Sequence, residues 1–237
     1  MRPYRATAIT VGILFIACSA ASVLSALPVG AILADPDYLS TLAGSAGSVV
    51  LTALIEFIWA ATAAGIAIAL YPILERFHPG WAFGAVAARL VEGTFILAGT
   101  LSLLVLLSVS QQSVAAGAPI PSSFQQIGDT LLVTRDWLHG FIVLLAFCLG
   151  ALMYNYVFFA SRLIPRWLTV WGLAGATLMA ISTIYAGFTE SFGFSTITTV
   201  LNIPIGIQEL VLAVWLIVRG FNPLPADSRA TKARSDE

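Results

Sequence analysis

Three ionisable residues lie inside apolar stretches of the chain, where charge is costly. Glu209 lies ten residues before Arg219 in the segment VLNIPIGIQELVLAVWLIVRG. Arg89 and Glu92 lie some 14 to 18 Å beyond the start of another apolar stretch near Gly80, at ~1.5 Å per residue. A charge in the middle of a bilayer costs at least about 2.5 to 3.5 kcal/mol, so it normally faces a bundle interior and has a partner. We therefore expect these three side chains to meet near the middle of a membrane.

The charges of this expected cluster do not balance. Arg89 and Glu92 are three residues apart, so they share a helix face and can pair within one helix. With Glu209, two carboxylates would face one guanidinium, and a proton or a bound cation would relieve the net negative charge. We expect at least one of the two carboxyl groups to be neutral at pH 7 unless a cation is bound. A purely structural ion pair between two helices is the alternative.

A second layer of ionisable residues is expected nearer the outer boundary. Glu56 lies about 28 Å from the cytoplasmic end of its helix, which places it at that boundary. Arg135 and Asp136 are equally compatible with a wetted interface. Asp136 and His139 are three residues apart and can share a face. A metal site built on this pair with Glu56 or Glu92 is an alternative, although the spacing alone is weak support.

The composition is that of a membrane protein. Of 237 residues, 59% are hydrophobic and 10% are charged, and the mean hydropathy is +0.93, whereas soluble domains carry roughly 25% charged residues. Crossing a bilayer takes about 20 apolar residues. We predict an all-α bundle of six transmembrane helices within residues 1–222, followed by a disordered cytoplasmic tail, residues 223–237. The six stretches are Ala8 to Leu33, Val49 to Leu74, Trp81 to Ser108, Leu131 to Ala160, Leu168 to Phe188 and Val200 to Val218.

The segments between and before these helices carry three further expectations. The connections, including ADPDYLSTLAGSAGS after the first helix, are expected to be polar loops. The fourth helix is expected to begin before the membrane, because Ser122 and Gln125 match a capping box. The basic, apolar amino-terminal segment could be a signal peptide. Its apolar run is longer than a signal core, however, and we expect it to be retained as the first helix.

Basic residues predict the orientation. Positive charge favours the cytoplasmic side, and the connections on the other side contain no lysine or arginine. Both termini are therefore expected to be cytoplasmic, with the protein in the cytoplasmic (inner) membrane. The nine residues on the cytoplasmic side are Arg2, Arg5, Arg76, Arg162, Arg166, Arg219, Arg229, Lys232 and Arg234.

Several function classes find no support in the sequence. It contains no G-x-S-x-G, H-E-x-x-H or Walker pattern, and no basic stripe with interleaved aromatics for nucleic acid. The only lysine, Lys232, lies in the tail, which excludes a retinal Schiff base inside the bundle. Two histidines, one of them in a loop, leave no pair for haem. Cys18 and Cys148 read as small core residues, and we expect no cofactor.

Several motifs together resemble a known family. They are LYPILERF, RLVEG, RDW, LGALMYNY, SRLIPRWLTVWGLAGATLM and IPIGIQELVLAVWLIVRGFNP. In this combination the chain resembles the bacterial and archaeal membrane family called domain of unknown function 4386, across nearly its whole length. The resemblance implies six helices and no established activity, and it assigns no catalytic residue.

These observations favour a binding or permeation site for a small solute, lipid or proton, reached through an outward-facing polar vestibule. Two alternatives remain: an intramembrane metal-dependent enzyme, and a non-catalytic membrane sensor or assembly partner. Membrane lipid is an expected partner and a small-molecule ligand a possible one, while the ligand and the oligomeric state stay open. The candidate ligand-binding residues are Arg89, Glu92, Glu209, Glu56, Asp136 and His139.

Overall fold

The computed structural model describes residues 4–117, 121–192 and 196–222 of the chain, and all regular elements in these ranges are helical. The tail predicted to be disordered, residues 223–237, lies outside the described residues. The elements are α1 (Arg5–Leu24), α2 (Gly30–Leu33), α3 (Tyr38–Ala43), α4 (Ala46–Leu74), α5 (Pro79–Ala115), α6 (Ser122–Trp137), a π-helical segment (Leu138–Val143), α7 (Leu144–Ser161), α8 (Arg166–Thr189) and α9 (Thr196–Val218).

Six helices in the described part of the chain are long and apolar enough to cross a membrane, which confirms the predicted all-α, six-span fold. One of them is continuous from α6 through the π-helical segment to α7. The six spanning helices form a closed ring, because each packs against its neighbours in the chain and α1 packs against α9. Side chains that point into this ring are therefore enclosed by helices on all sides.

The interior of the ring is mostly apolar, and its outer face is apolar too. Phe15, Leu70 and Phe158 are among the fully buried side chains of the main core, and Cys18 and Cys148 are buried free thiols, as predicted. Large apolar side chains remain exposed around the ring, as expected of a surface in contact with lipid; examples are Leu54, Phe57, Phe83, Leu101, Ile181 and Val214.

Both ends of the described chain lie at the same end of the bundle, which we call the terminal end. Arg5 donates hydrogen bonds to the carbonyl oxygens of Leu216 and Ile217 at 3.3 and 2.5 Å, so it caps the last turn of α9. Its neighbour Tyr4 lies 5.2 Å under the guanidinium of Arg76. The basic connections thus gather at one end, and their cytoplasmic location remains a prediction from charge.

The opposite end, the distal end, is more structured than the sequence indicated. The first helix stops at Leu24, not at Leu33, since a turn containing Pro28 follows it. The connection expected to be a loop contains α2 and α3, which pack with α5 in a separate apolar cluster. The hydroxyl of Tyr38 donates to Asp129 at 2.8 Å. Burial raises the pKa of the Tyr38 phenol above its usual value, and this hydrogen bond raises it further.

Two helices project well beyond a hydrocarbon core of ~30 Å. The 37 residues of α5 extend about 55 Å, and the 40-residue span from Ser122 to Ser161 extends about 60 Å. The latter helix begins at Ser122, but the predicted capping box between Ser122 and Gln125 does not form. Pro121 occupies the cap position without a side-chain hydrogen bond, and Gln125 donates to Asp129 instead.

Candidate functional site

Arg89, Glu92 and Glu209 meet inside the ring, and with Tyr154 they form what we call the central cluster. Arg89 Nη1 donates to both carboxylate oxygens of Glu92, at 2.9 and 3.1 Å. Arg89 Nη2 donates to Oε1 of Glu209 at 3.2 Å, and the Tyr154 hydroxyl donates to the same oxygen at 3.1 Å. One guanidinium therefore joins α5 to α9, and a phenol from α7 closes the cluster.

The protein around Arg89 is shaped to hold its side chain. The guanidinium lies 4.7 Å from the centre of the Phe147 ring, a cation–π contact. On the same helix Gly150 lets the stem of Arg89 pass close to the backbone, since a Cβ there would lie 3.3 Å from Arg89 Cγ. Arg89 Nε has no hydrogen-bond partner among the described residues.

The central cluster is enclosed. The exposed fractions are 0% for Arg89, 1% for Glu92 and 8% for Glu209. With one fixed positive charge and two carboxyl groups, the cluster carries a net charge of −1 when both carboxyls are ionised. A buried charge without a counter-charge is strongly disfavoured. The geometry therefore accommodates one additional positive charge.

A second ionic group lies nearer the distal end and is called the distal cluster: Glu56, Thr100, Arg135 and His139. Glu56 is completely buried and forms an ion pair with Arg135. The hydroxyl of Thr100 donates to Oε2 of Glu56 at 2.6 Å. Arg135 also donates to the carbonyl oxygen of Gly99 at 2.8 Å. Counting along the helix placed Glu56 at the outer boundary, and the structure adds that it is completely buried and paired.

An apolar layer separates the two clusters. It consists of Ala60, Ile96 and Val143, which pack together and are 5%, 0% and 0% exposed. Each lies one helical turn from a member of the distal cluster on the same chain segment: Ala60 from Glu56, Ile96 from Thr100, and Val143 from His139. A continuous polar vestibule from the distal surface to the central cluster, as the sequence suggested, is interrupted at this layer.

Comparison with known proteins gives one match. Residues 10–220 match the family model described as Domain of unknown function (DUF4386). The chain belongs to this family. No curated protein and no solved structure matches it. The family resemblance drawn from the motifs is thereby confirmed, and the two clusters lie within the stretch that matches.

Not every residue proposed from the sequence joins a cluster in this DUF4386 protein. Asp136 is exposed, whereas Glu56 is buried and His139 half-buried. Asp136 and His139 therefore do not share a buried face, and the π-helical segment begins between them, at Leu138. Among the described residues there is no group of three or more His, Cys, Asp or Glu side chains that could hold a metal ion.

Sequence reasoning missed two polar members of the clusters, Tyr154 and Thr100. The hydroxyl of Tyr154, to which the sequence analysis gave no role, reaches Glu209. Its position one turn after Gly150 on the same helix face was an available signal. Thr100 follows Glu92 by two turns on the buried face of α5. A polar residue at that spacing indicates a second polar level.

Two buried amides adjoin the central cluster on α7 and α9. Asn155 donates to Ala151 O at 2.9 Å, and Gln208 donates to Leu168 O at 3.2 Å. These bonds fix the orientation of both amides, because a carbonyl can face only the NH₂ group. The side-chain oxygens of Asn155 and Gln208 have no donor among the described residues. The seam between α7, α8 and α9 is therefore rich in hydrogen-bond acceptors.

Proposed function

We propose that this multi-pass membrane protein reversibly binds a proton at the central cluster, with Glu92 and Glu209 sharing it around Arg89. The observation that carries the proposal is two carboxyl groups on one guanidinium, all three buried. A proton neutralises the excess charge and needs no cavity. Reversible proton binding in mid-membrane is the step common to proton-coupled carriers and membrane pH sensors.

Glu209 is the better placed of the two carboxyl groups to receive the proton. Both oxygens of Glu92 contact Arg89, whereas the described contacts of Glu209 all use Oε1. A proton on Oε2 of Glu209 would therefore displace no described hydrogen bond. Glu209 is also the most exposed of the three residues. The two carboxyls nevertheless titrate as one coupled site, since each lies within contact of the same guanidinium.

Proton binding is favoured over binding of a small solute or lipid by the shape of the protein. Two surface grooves lie along α6, between residues 126 and 138, and neither includes a residue of the central cluster, which is itself enclosed. The described residues contain no group of side chains that could hold the metal ion of a metal-dependent enzyme. The proton is the ligand that suits an enclosed acidic cluster.

Infrared difference spectroscopy tests the proposal, because a protonated buried carboxyl absorbs apart from carboxylates. We expect metal-free purified protein to show one protonated-carboxyl band at pH 7 that disappears at alkaline pH. Glu92→Gln and Glu209→Gln should each abolish this band, although each variant keeps one carboxyl. The reason is that either substitution leaves one carboxylate balanced by one guanidinium.

The matched control is Glu75→Gln, which removes an exposed carboxyl at the terminal end and should leave the band unchanged. Absence of a protonated-carboxyl band at pH 7, with spectra that Glu209→Gln does not alter, would overturn the proposal. A band lost in only one of the two central variants would locate the proton on a single residue and refute the sharing.

A second candidate function is that of a non-catalytic assembly or sensor protein whose central cluster only holds helices together. The complete burial of Arg89 favours this structural role, since the described side chains around it are closely packed. The infrared experiment distinguishes this function from proton binding. In a purely structural cluster, the protonation of the two carboxyls does not change over the pH range in which the protein is folded.

A further inference from the structure

The contacts of His139 define which ring nitrogen carries the proton. Nε2 lies 3.2 Å from the carbonyl oxygen of Ile96, which can only accept, so Nε2 is the protonated nitrogen. Thr100 also lies within reach of this carbonyl, but its hydroxyl has the shorter bond to Glu56. In the neutral ring Nδ1 therefore carries a lone pair, and it faces Oε1 of Glu56 at 3.9 Å.

The ring is held in this position by three independent features. A Cβ at Gly99 would overlap the imidazole, so glycine leaves the space in which the ring sits. Trp59 packs edge-to-face on it, with ring centres 5.8 Å apart. The π-helical segment that contains His139 sets its direction, and such segments inside α-helices frequently occur at functional sites.

The position of His139 also gives it access to the distal surface. Its side chain is 19% exposed, whereas that of Glu56 is 1% exposed. A proton arriving from water at the distal end therefore meets the imidazole before it meets the carboxylate. Two groups that can each accept a proton, a lone pair and a carboxylate oxygen, thus face each other just below the surface.

We infer that His139 and Glu56 form a second proton-binding site, at which Nδ1 of His139 takes a proton from the distal side and shares it with Oε1 of Glu56. This inference rests on the proposed function, since it adds a second proton site, on the distal side of the apolar layer, to the one at the central cluster. The imidazolium competes with Arg135 for Glu56. Proton binding thereby loosens the ion pair between Arg135 and Glu56.

The elements that pack on His139 differ in the charged and titratable groups that they contribute. α4 contributes Glu56, and α6 contributes Arg135 and the exposed Asp136. α5 presents uncharged Gly99 and Thr100 at this level, with Glu92 one turn beyond the apolar layer. α7 contributes Cys148, and α8 contributes the exposed Tyr185 and, at its cap position, the exposed Glu190. Burial of the ring and the charge of Arg135 thus oppose the imidazolium, and Glu56 is the charged group that favours it.

Nitrogen NMR of histidine-labelled protein tests the inference, because the chain has only two histidines. In a His78→Gln background the full chain reports on His139 alone. We expect the neutral ring to carry its proton on Nε2 and to gain a second proton on Nδ1 as the pH falls. Glu56→Gln should move that protonation to lower pH by roughly one to three units, because the facing negative charge is lost.

Two further variants keep the test interpretable. Asp136→Asn removes a carboxyl beside the site that does not face the ring, and should move the protonation by far less than Glu56→Gln. Gly99→Ala changes no titratable group but fills the space of the imidazole, and should abolish the Nε2 hydrogen bond to Ile96. If Glu56→Gln does not fold, the tautomer in the parent protein and the Asp136→Asn and Gly99→Ala comparisons still decide the matter.

A neutral ring protonated on Nδ1, or a protonation that Glu56→Gln leaves unmoved in folded protein, would overturn the inference. Either result leaves the infrared band of the central cluster untouched, so it would not count against the proposed function. Conversely, if the infrared band were absent while His139 titrated as expected, only proton binding at the central cluster would be refuted.

Discussion

Replacement of Arg89 by methionine should destabilise the protein strongly. The substitution keeps an unbranched stem against Gly150 but removes the guanidinium from two carboxylates. Breaking a buried pair by removal of one partner costs about 3 to 5 kcal/mol. Loss of the contact with Phe147 adds about 0.5 to 2 kcal/mol. We therefore expect the free energy of unfolding to fall by roughly 3.5 to 7 kcal/mol near neutral pH.

The pH dependence of this loss follows from the stranded carboxyls. In folded Arg89→Met, Glu92 and Glu209 take up protons that they release on unfolding, so the folded state binds more protons than the unfolded state. Stability of the variant therefore falls as pH rises, by up to ~1.4 kcal/mol per pH unit for each proton. The deficit relative to the parent should shrink in acid.

SDS titration of the purified protein in mixed micelles, followed by circular dichroism, measures these free energies. Arg89→Lys should be intermediate, because an ammonium keeps the charge but lacks the planar fork that contacts both carboxylates. The control Arg76→Met alters an exposed arginine and should have little effect. Equal stability of Arg89→Met and Arg76→Met at every pH would refute the buried pairing.

Three other outcomes are expected. In a cysteine-free background, a cysteine placed at Ser122 should react with an impermeant reagent from outside the cell; reaction only from the cytoplasmic side would reverse the topology. Tyr154→Phe removes a hydrogen bond to Glu209 and should cost about 1.5 to 3 kcal/mol in SDS titration, and no cost would mean that the hydroxyl does not reach the carboxylate. Arg5→Ala uncaps α9 and should cost up to ~2 kcal/mol with faster hydrogen exchange in its last turn; unchanged exchange would contradict the cap.

The sequence predicted the membrane spans and the meeting of Arg89 with Glu209 for the same physical reason. Apolar runs of sufficient length must cross, and charges inside them must find partners, although 120 positions separate these two residues. Counting residues from a helix end gives the depth of a side chain. It was enough to bring Arg89, Glu92 and Glu209 to one level.

Counting along a helix gives no direction around it, and this is where the predictions for the distal residues fell short. Glu56 is buried because α5 and α6 extend beyond the membrane core and cover it. The π-helical segment LHGFIV bears no distinctive sequence mark, so the separation of Asp136 from His139 could not be foreseen. The short helices α2 and α3 are stabilised by packing on α5, which a local pattern does not reveal.

The pairing of Arg89 and Glu92 within one turn has a consequence for biosynthesis. α5 can leave the translocon as an electrically neutral segment, because each charge finds its partner in the same helix. Glu209 has no such partner in Thr196–Val218, where it is the only charged residue. α9 therefore enters either with that carboxyl protonated or after Arg89 is in place. Since α9 is made after α5, synthesis places Arg89 in the membrane before Glu209, the carboxyl that it pairs with.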